Sequence, residues 1–311
     1  MILRQVLELL DVLDRPDAGG ERVKSLLEAA GPADVTVQRL LGNGGGTDHV
    51  TVRISGQSGR TAGGQAPTLG IIGRLGGSGA RPAMIGHVSD GDGALAALAA
   101  ACRLIEMADA GDRLPGDVIV TTHVCPNAPV RPHRPVPMMG SPIESAVMNE
   151  HEVLPEMDAV LSIDTTRGNR VLNQRGIAIT PTTVQGWILR VADDLLDTLG
   201  WVTGRLPLVL PITMQDITPY GNEVYHINSI MQPAVSTSAP VVGVALTAEV
   251  PVPGCATGAT QPEDAATAAQ FAIEVAKRFG AGELKFFDQS EFERLVGLYG
   301  PMTQLQQGAA E

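Results

Sequence analysis

The chain has 311 residues, 44 % of them hydrophobic and only 3 % aromatic, and a net charge of −12. That length and apolar content allow one large domain whose core must be built from Val, Ile, Leu and Ala. The acidity excludes the basic surface that nucleic acid or an anionic membrane would require. Three scattered cysteines, Cys102, Cys125 and Cys255, exclude a disulfide framework and suit a reducing cytoplasm.

Residues 2–14 carry Leu3, Val6, Leu7, Leu10 and Leu13 on one helical face, and a second helix is predicted over about 20–30. This start is acidic and lacks a basic leader with a small-residue cleavage site, and no apolar stretch reaches membrane-spanning length, so a cytoplasmic protein is expected. VTVQRLL and HVTVRIS alternate as strands on either side of the turn-rich LGNGGGTD. TLGIIG reads as a short buried strand, and GDGALAALAAACRLIEMADAGD is a helix opening near Ser89 and Asp90. GDVIVTTHV and DAVLSID are further buried strands, separated by a Pro-rich loop. Strands are also expected at 171–180, 206–213 and 240–250, a final helix at about 263–279, and a frayed tail over 300–311. The alternation predicts an α/β fold with a mixed, mainly parallel sheet and helices on both faces. With no internal repeat or linker, 1–311 is read as a single domain, in which 1–60 packs on the same sheet.

Ligands of open parallel sheets bind beyond the carboxyl ends of the strands. The loops there carry Arg74; His87, Asp90 and Asp92; His123, Cys125 and Asn127; Asp164, Arg167 and Asn169; Asp216, Asn222, Glu223 and His226; and Cys255 and Thr260. Histidines mixed with carboxylates suit a divalent metal such as zinc or manganese, although no HExxH or CxxC spacing is present. Each residue also has a plainer reading. Asp90 is an N-cap candidate, Asp164 a loop-fixing acid, His123 a satisfied core histidine, and Cys125 and Cys255 are inert apolar thiols. Arg74 and Arg167 are read either as holding a substrate carboxylate or as pairing with Asp90 and Asp164. There is no phosphate-binding glycine loop and no GxSxG nucleophile elbow.

The segments APTLGIIGRLGG, SDGDGALAAL, THVCPNAP, LSIDTTRGNR, QDITPYGN and YHINSIMQP resemble a bacterial family known as domain of unknown function 1177, from Leu3 to Gly300. The order of segments also resembles, more distantly, the zinc-dependent aminopeptidase-like exopeptidases. That resemblance implies an aminopeptidase-like (phosphorylase/hydrolase-like) architecture with five metal ligands on strand-end loops, in the order His, Asp, Glu, Asp, His, and a neighbouring Glu as general base. On this chain Arg74 stands at the first ligand and Asp90 at the bridging Asp, with Asp92 close by. Cys125, Pro126 and Asn127 stand where Glu-Glu would be, Asp164 at the fourth ligand, and Thr260 at the last His.

Three functions follow as expectations. The first is a hydrolase of small peptides, amides or cyclic amides, with Asp90 and Asp164 as ligands, His87, Asp92, His123 or His226 completing a one-metal site, and Arg74, Arg167, Asn169, Asn222, His226 and Thr260 around the substrate. The second is metal-free: a binding pocket in which Arg74 pairs with Asp90, or a cysteine enzyme using Cys125 or Cys255 with His123 as base and Asn127 beside it. The third is a structural role. The apolar segments VPMMGSP and YHINSIMQP are expected to cover a partner's sheet edge in a homo-oligomer or to line the pocket.

Overall fold

The structure, a computed structural model, describes residues 2–74, 77–134, 136–252 and 254–307. Helix α1 (Ile2–Leu13) buries Val6, Leu9 and Leu13; of the expected face Val6 and Leu13 are buried and Leu3 and Leu10 partly so, whereas Leu7 is exposed and Leu9 takes its place, and α2 (Gly20–Ala29) follows it. Strands β1 (Asp34–Gly42) and β2 (Gly45–Ile54) form an antiparallel hairpin. The fully buried strand β3 (Leu69–Gly73) leads to α3 (Asp92–Asp109) and then to β4 (Val118–Val124), parallel to β3. The Pro-rich loop that follows holds a two-residue ladder of β5 (Val130–Arg131) and β6 (Met138–Met139), and then α4 (Ser145–Glu152). After β7 (Ala159–Thr166) come β8 (Gly176–Ile179), the small hairpin of β9 (Thr183–Val184) and β10 (Trp187–Ile188), α5 (Asp193–Thr203), β11 (Leu208–Val209) and β12 (Val241–Thr247). Helices α6 (Pro262–Gly280) and α7 (Gln289–Tyr299) complete the elements.

One sheet runs in the order β1-β2-β4-β3-β7-β12-β8-β11, with β9 beside β12 and β10 beside β9. Its centre, β4-β3-β7-β12, is parallel, and antiparallel neighbours flank it on both sides. Residues of β3 alternate faces as a strand must. Leu69 and Ile71 join the larger core, built with α1, α3 and α6, while Ile72 joins a second core on the opposite face. The helices are therefore unevenly divided. The second face is covered by α4 and by short turns at Met214–Ile217 and Gln232–Val235, not by a matching helical layer.

Close approach explains why small residues are used where they are. Helix α3 is buried around most of its circumference, and its alanines let it pack between α1, α6 and the sheet. A Cβ on Gly73 would lie 2.8 Å from the Ala94 Cα and from the Gly93 carbonyl, so the end of β3 meets the first turn of α3 backbone to backbone.

Several expectations are corrected. Helix α6 is not the last, because Asp288 caps α7 by accepting from the Glu291 amide at 3.0 Å. Helices α4 and α5 lie where no helix was predicted. The strands expected at 171–180 and 206–213 shrink: Asn169 turns the chain by accepting from Val171 and Leu172, and Pro207 and Pro211 bracket β11. Residues 300–307 do not fray, since Leu305 packs on the second core and Gln306 donates to the carbonyls of Ala234 and Thr237 at 2.7 and 2.8 Å; 308–311 lie outside the described residues. Of the segments expected to cover a partner's sheet edge or to line the pocket, Ile230 and Met231 lie inside the second core and Met139 packs on a small cluster with Ala80 and Val88, while Met138, Tyr225 and Ile227 are exposed.

Gly73→Ala forces a methyl into the β3–α3 contact and is expected to destabilise the fold by about 1–3 kcal/mol, measured as a lower urea midpoint with an unchanged slope.

Candidate functional site

From β3 the chain runs on to a connection towards β4, and from β7 it runs to the other side of the sheet, so the crevice between their carboxyl ends is the switch point at which such sheets bind ligands. Arg74 continues beside β7, its amide donating to the Ile163 carbonyl at 2.8 Å. Further on, a short turn at Ser89–Gly91 leads into α3. Asp90 is not an N-cap, because Gly91 holds that position without any side-chain cap. The turn is zipped to the segment after β12: the Ser89 amide donates to Ala256 O at 3.0 Å and the Asp90 amide to Gly254 O at 2.9 Å. Gly254 lies flat on the Asp90 carboxyl, where a Cβ would stand 2.6 Å from Oδ1.

This zipping assembles an acidic cluster. Asp92, 2 % exposed, accepts from Thr260 Oγ1 at 2.6 Å and from His87 Nε2 at 3.3 Å on one oxygen, and from Arg167 Nη2 at 3.1 Å on the other. The same Arg167 nitrogen donates to Ser89 O at 3.0 Å. Asp164, 1 % exposed, accepts from the Thr165 amide at 2.7 Å and from Ser229 Oγ at 2.8 Å. Burial, and then the neighbouring Asp164, push the Asp90 carboxyl up to about 8, against the pull of Arg167. Burial pushes Asp164 up to about 6, held back by Ser229, Arg74, Thr165 and Arg167. These environments set the two carboxyls apart in acidity, as acid and base partners need to be.

Arg74 borders the cluster but pairs elsewhere. Its expected partner Asp90 is replaced by Glu152 of α4, to which Nη1 donates, and Asn149 Oδ1 lies 3.3 Å from the same nitrogen. Both ends of this ion pair are buried, Arg74 at 3 % and Glu152 at 0 % exposure. The charge of Asp164 also favours the guanidinium. Arg167 likewise pairs with Asp92, not with Asp164.

Other candidates stand apart. His123 is buried under α4 with Nδ1 2.9 Å from Thr47 Oγ1; burial, Arg74 and His49 push it down to about 3, so it is neutral at physiological pH and serves the interior. The buried Cys125 thiol donates towards the Gly46 carbonyl and the Asn127 Oδ1, and burial raises its pKa. Burial, with Asp90 nearby, pushes Cys255 up to about 11. Neither thiol has the thiolate character of a nucleophile. Asn127 and Asn169 are exposed, and Asn169 shapes its own turn. His226 donates to Thr218 O at 2.9 Å and Asn222 to Thr218 Oγ1 at 3.1 Å, so both shape the segment after the Asp216 turn. Asp216 anchors that segment by accepting from the amides of Ile227 and Asn228. Sequence reasoning missed Glu152, Asn149, Ser229 and Tyr220, whose phenol faces Ser229, Asp164 and Arg74 while its ring packs edge-on against His226 at 4.6 Å. A large cavity of about 1230 Å³ opens at the opposite ends of β7 and β12, but its Asp158 is already paired with Arg60 and its Arg190 with Asp193.

The residues present do not fit the two-metal centre that the aminopeptidase resemblance implies. Its ligand positions hold a guanidinium, a Cys-Pro-Asn segment and a threonine, and both Asp92 oxygens are committed to protein donors. Among the described residues no three His, Cys, Asp or Glu side chains are placed to hold a metal ion.

Fold and site together define an α/β protein with an acidic cluster at the switch point of a mixed sheet. The chain belongs to the family described as "Protein of unknown function (DUF1177)", whose profile matches residues 38–309. No curated protein matches it by sequence. Among solved structures it is similar to the LapA aminopeptidase of Legionella pneumophila, at 12 % identity and a TM-score of 0.49 over 91 % of this chain and 71 % of that one. It is also similar to a mutant of tomato leucine aminopeptidase, at 11 % identity and a TM-score of 0.52 over 88 % of this chain, which spans 61 % of that one. The second likeness shows an aminopeptidase-like fold and nothing finer. Among the described residues, no helix is long and apolar enough to cross a membrane.

The raised Asp90 pKa predicts a stability effect. The folded chain holds a proton that the unfolded chain, with an ordinary value of 3.8, has released, so this group's stabilising contribution falls as pH rises from about 4 to about 8. Asp90→Asn removes that loss. Its gain in Tm over the wild type is expected to be larger at pH about 9 than at pH about 5 by calorimetry.

Proposed function

We propose that the chain hydrolyses an amide bond of a small peptide, amide or cyclic amide, with Asp90 and Asp164 as its reacting groups. The observation that carries this reading is the convergence of these two carboxyls at the switch point, where the turn before α3 packs on β7, with Arg167 near both and the Tyr220 phenol near Asp164. The aminopeptidase-like fold is consistent with a peptide-like substrate in this crevice.

The chemistry needs one base and one acid. The ionised Asp164 takes a proton from water as the water oxygen bonds to the amide carbon, and the carbonyl π electrons move onto oxygen. Arg167 or the Tyr220 hydroxyl would supply the donor that stabilises that oxyanion. When the electrons return, the C–N bond breaks and the protonated Asp90 gives its proton to the leaving nitrogen. Transfer of the proton from Asp164 to Asp90 through solvent resets the pair. The split between about 6 and about 8 supports the assignment, because it keeps one group ionised and the other protonated near neutrality.

Dipeptides, dipeptide amides and cyclic dipeptides incubated with the purified chain should release amine. The rate should rise through pH about 6 as Asp164 ionises and fall through about 8 as Asp90 loses its proton. Asp90→Asn and Asp164→Asn should each lower kcat by about 100- to 10,000-fold. Full activity in both variants would refute the assignment.

A further inference from the structure

We propose that the Arg74 and Arg167 guanidiniums take the charge-compensating place that metal ions hold in related folds, so that the acidic cluster works without a divalent cation. The inference concerns the cofactor need of the site just described, and it stands on that site's charge balance, not on its activity.

Four carboxyl groups, Asp90, Asp92, Glu152 and Asp164, meet two guanidiniums at the carboxyl ends of β3 and β7. Buried carboxylates need a fixed positive partner or a proton. Glu152 has Arg74, and Asp92 has Arg167. Asp164 feels both guanidiniums, and Asp90 feels Arg167. The compensating charges are therefore covalently part of the chain, and a guanidinium neither dissociates nor loses its proton in this range.

Much of the donor set is also spent internally, with His87 Nδ1 and Glu152 Oε1 left without a hydrogen-bond partner among the described residues. His87, the imidazole nearest to the acids, uses Nε2 on Asp92, so these two potential ligands face each other. The second Asp92 oxygen is taken by Arg167, and Thr260, at the position of a ligand histidine, adds a hydroxyl donor to the first. Asp164 already accepts from Thr165 and Ser229. A cation ligated by the second Asp92 oxygen would have to displace Arg167 from it. The two ion pairs are held from separate directions, Arg74 by α4 and Arg167 by the turn before α3. Retreat of one guanidinium would leave the other in place.

The test uses the full chain purified without a metal-affinity tag. Elemental analysis is expected to find well under one equivalent of zinc, manganese or iron. Calorimetric titration with zinc or manganese chloride to millimolar concentration should give no saturable heat, and Tm should be unchanged by EDTA or by either ion. Arg167→Met should lower Tm, and added manganese or zinc should then restore part of the loss, because Asp90 and Asp92 are left without their cation while Asp164 keeps only Arg74; Arg167→Lys should behave as the wild type. Saturable binding of one or two equivalents to the wild type, lost in Asp90→Asn, would overturn the inference. If Arg167→Met does not fold, the wild-type measurements still decide it. Failure of the same preparation to cleave any amide would count against the hydrolase reading and leave this inference intact.

Discussion

Acidic side chains cluster where the sheet is least able to hydrate them. Asp92, Glu152 and Asp164 are each at most 2 % exposed, and Asp90 is crowded beside them at the mouth of α3. An ionised carboxylate in such surroundings costs several kcal/mol unless it is paired or hydrogen-bonded. Much of the local architecture can be understood as meeting that demand. The turn before α3 is tied to the segment after β12, which brings Thr260 within 2.6 Å of Asp92. Helix α4 leaves the Pro-rich loop and places Glu152 under Arg74. The segment beyond the Asp216 turn folds back so that Ser229 reaches Asp164.

The demand also reaches into the glycine usage. Gly73 lets α3 begin against the end of β3, and Gly254 lets the β12 loop lie on the Asp90 carboxyl. These contacts leave no room for a side chain, so the distance between the acids and the strand ends is set by backbone packing, not by flexible rotamers. A site held this way is preorganised.

The central elements were legible in the sequence because their signals are strong. TLGIIG, GDVIVTTHV and DAVLSID are short apolar runs with turn residues around them, and the Ala-Leu stretch of α3 has no competing reading. The strand-end rule then pointed to Asp90, Asp92, His87, Asp164, Arg167 and Thr260, which the fold does bring into one cluster. Partnership was not legible. The residue types offer Asp90 as a counter-charge for Arg74, whereas its partner Glu152 comes from α4, an eight-residue helix with little apolar periodicity. Asn222 and His226 looked like binding residues by type, yet their hydrogen bonds to Thr218 show them shaping a turn. Residue type and loop position identify who is near the sheet edge; direction and partner depend on packing that a single sequence does not encode locally.

The same distinction separates fold from chemistry. An aminopeptidase-like sheet supplies a crevice, a helix entrance and loops at fixed places, and it imposes no particular ions on them. In this chain the two positions that the resemblance would give to imidazoles hold Arg74 and Thr260, the one it would give to carboxylates holds Cys125, Pro126 and Asn127, and the neighbouring Asp92 has both oxygens occupied by protein donors. Changing one such position alone would leave buried acids unpaired, at a cost of several kcal/mol. Arg74 with Glu152, and Arg167 with Asp92 and Thr260, therefore make physical sense only as sets in which each cation arrives with the acid it neutralises. A crevice arranged in this way fixes counter-charge for its acids in the chain itself, and on the reading proposed above it leaves the Asp90–Asp164 pair as the part of the site that exchanges protons.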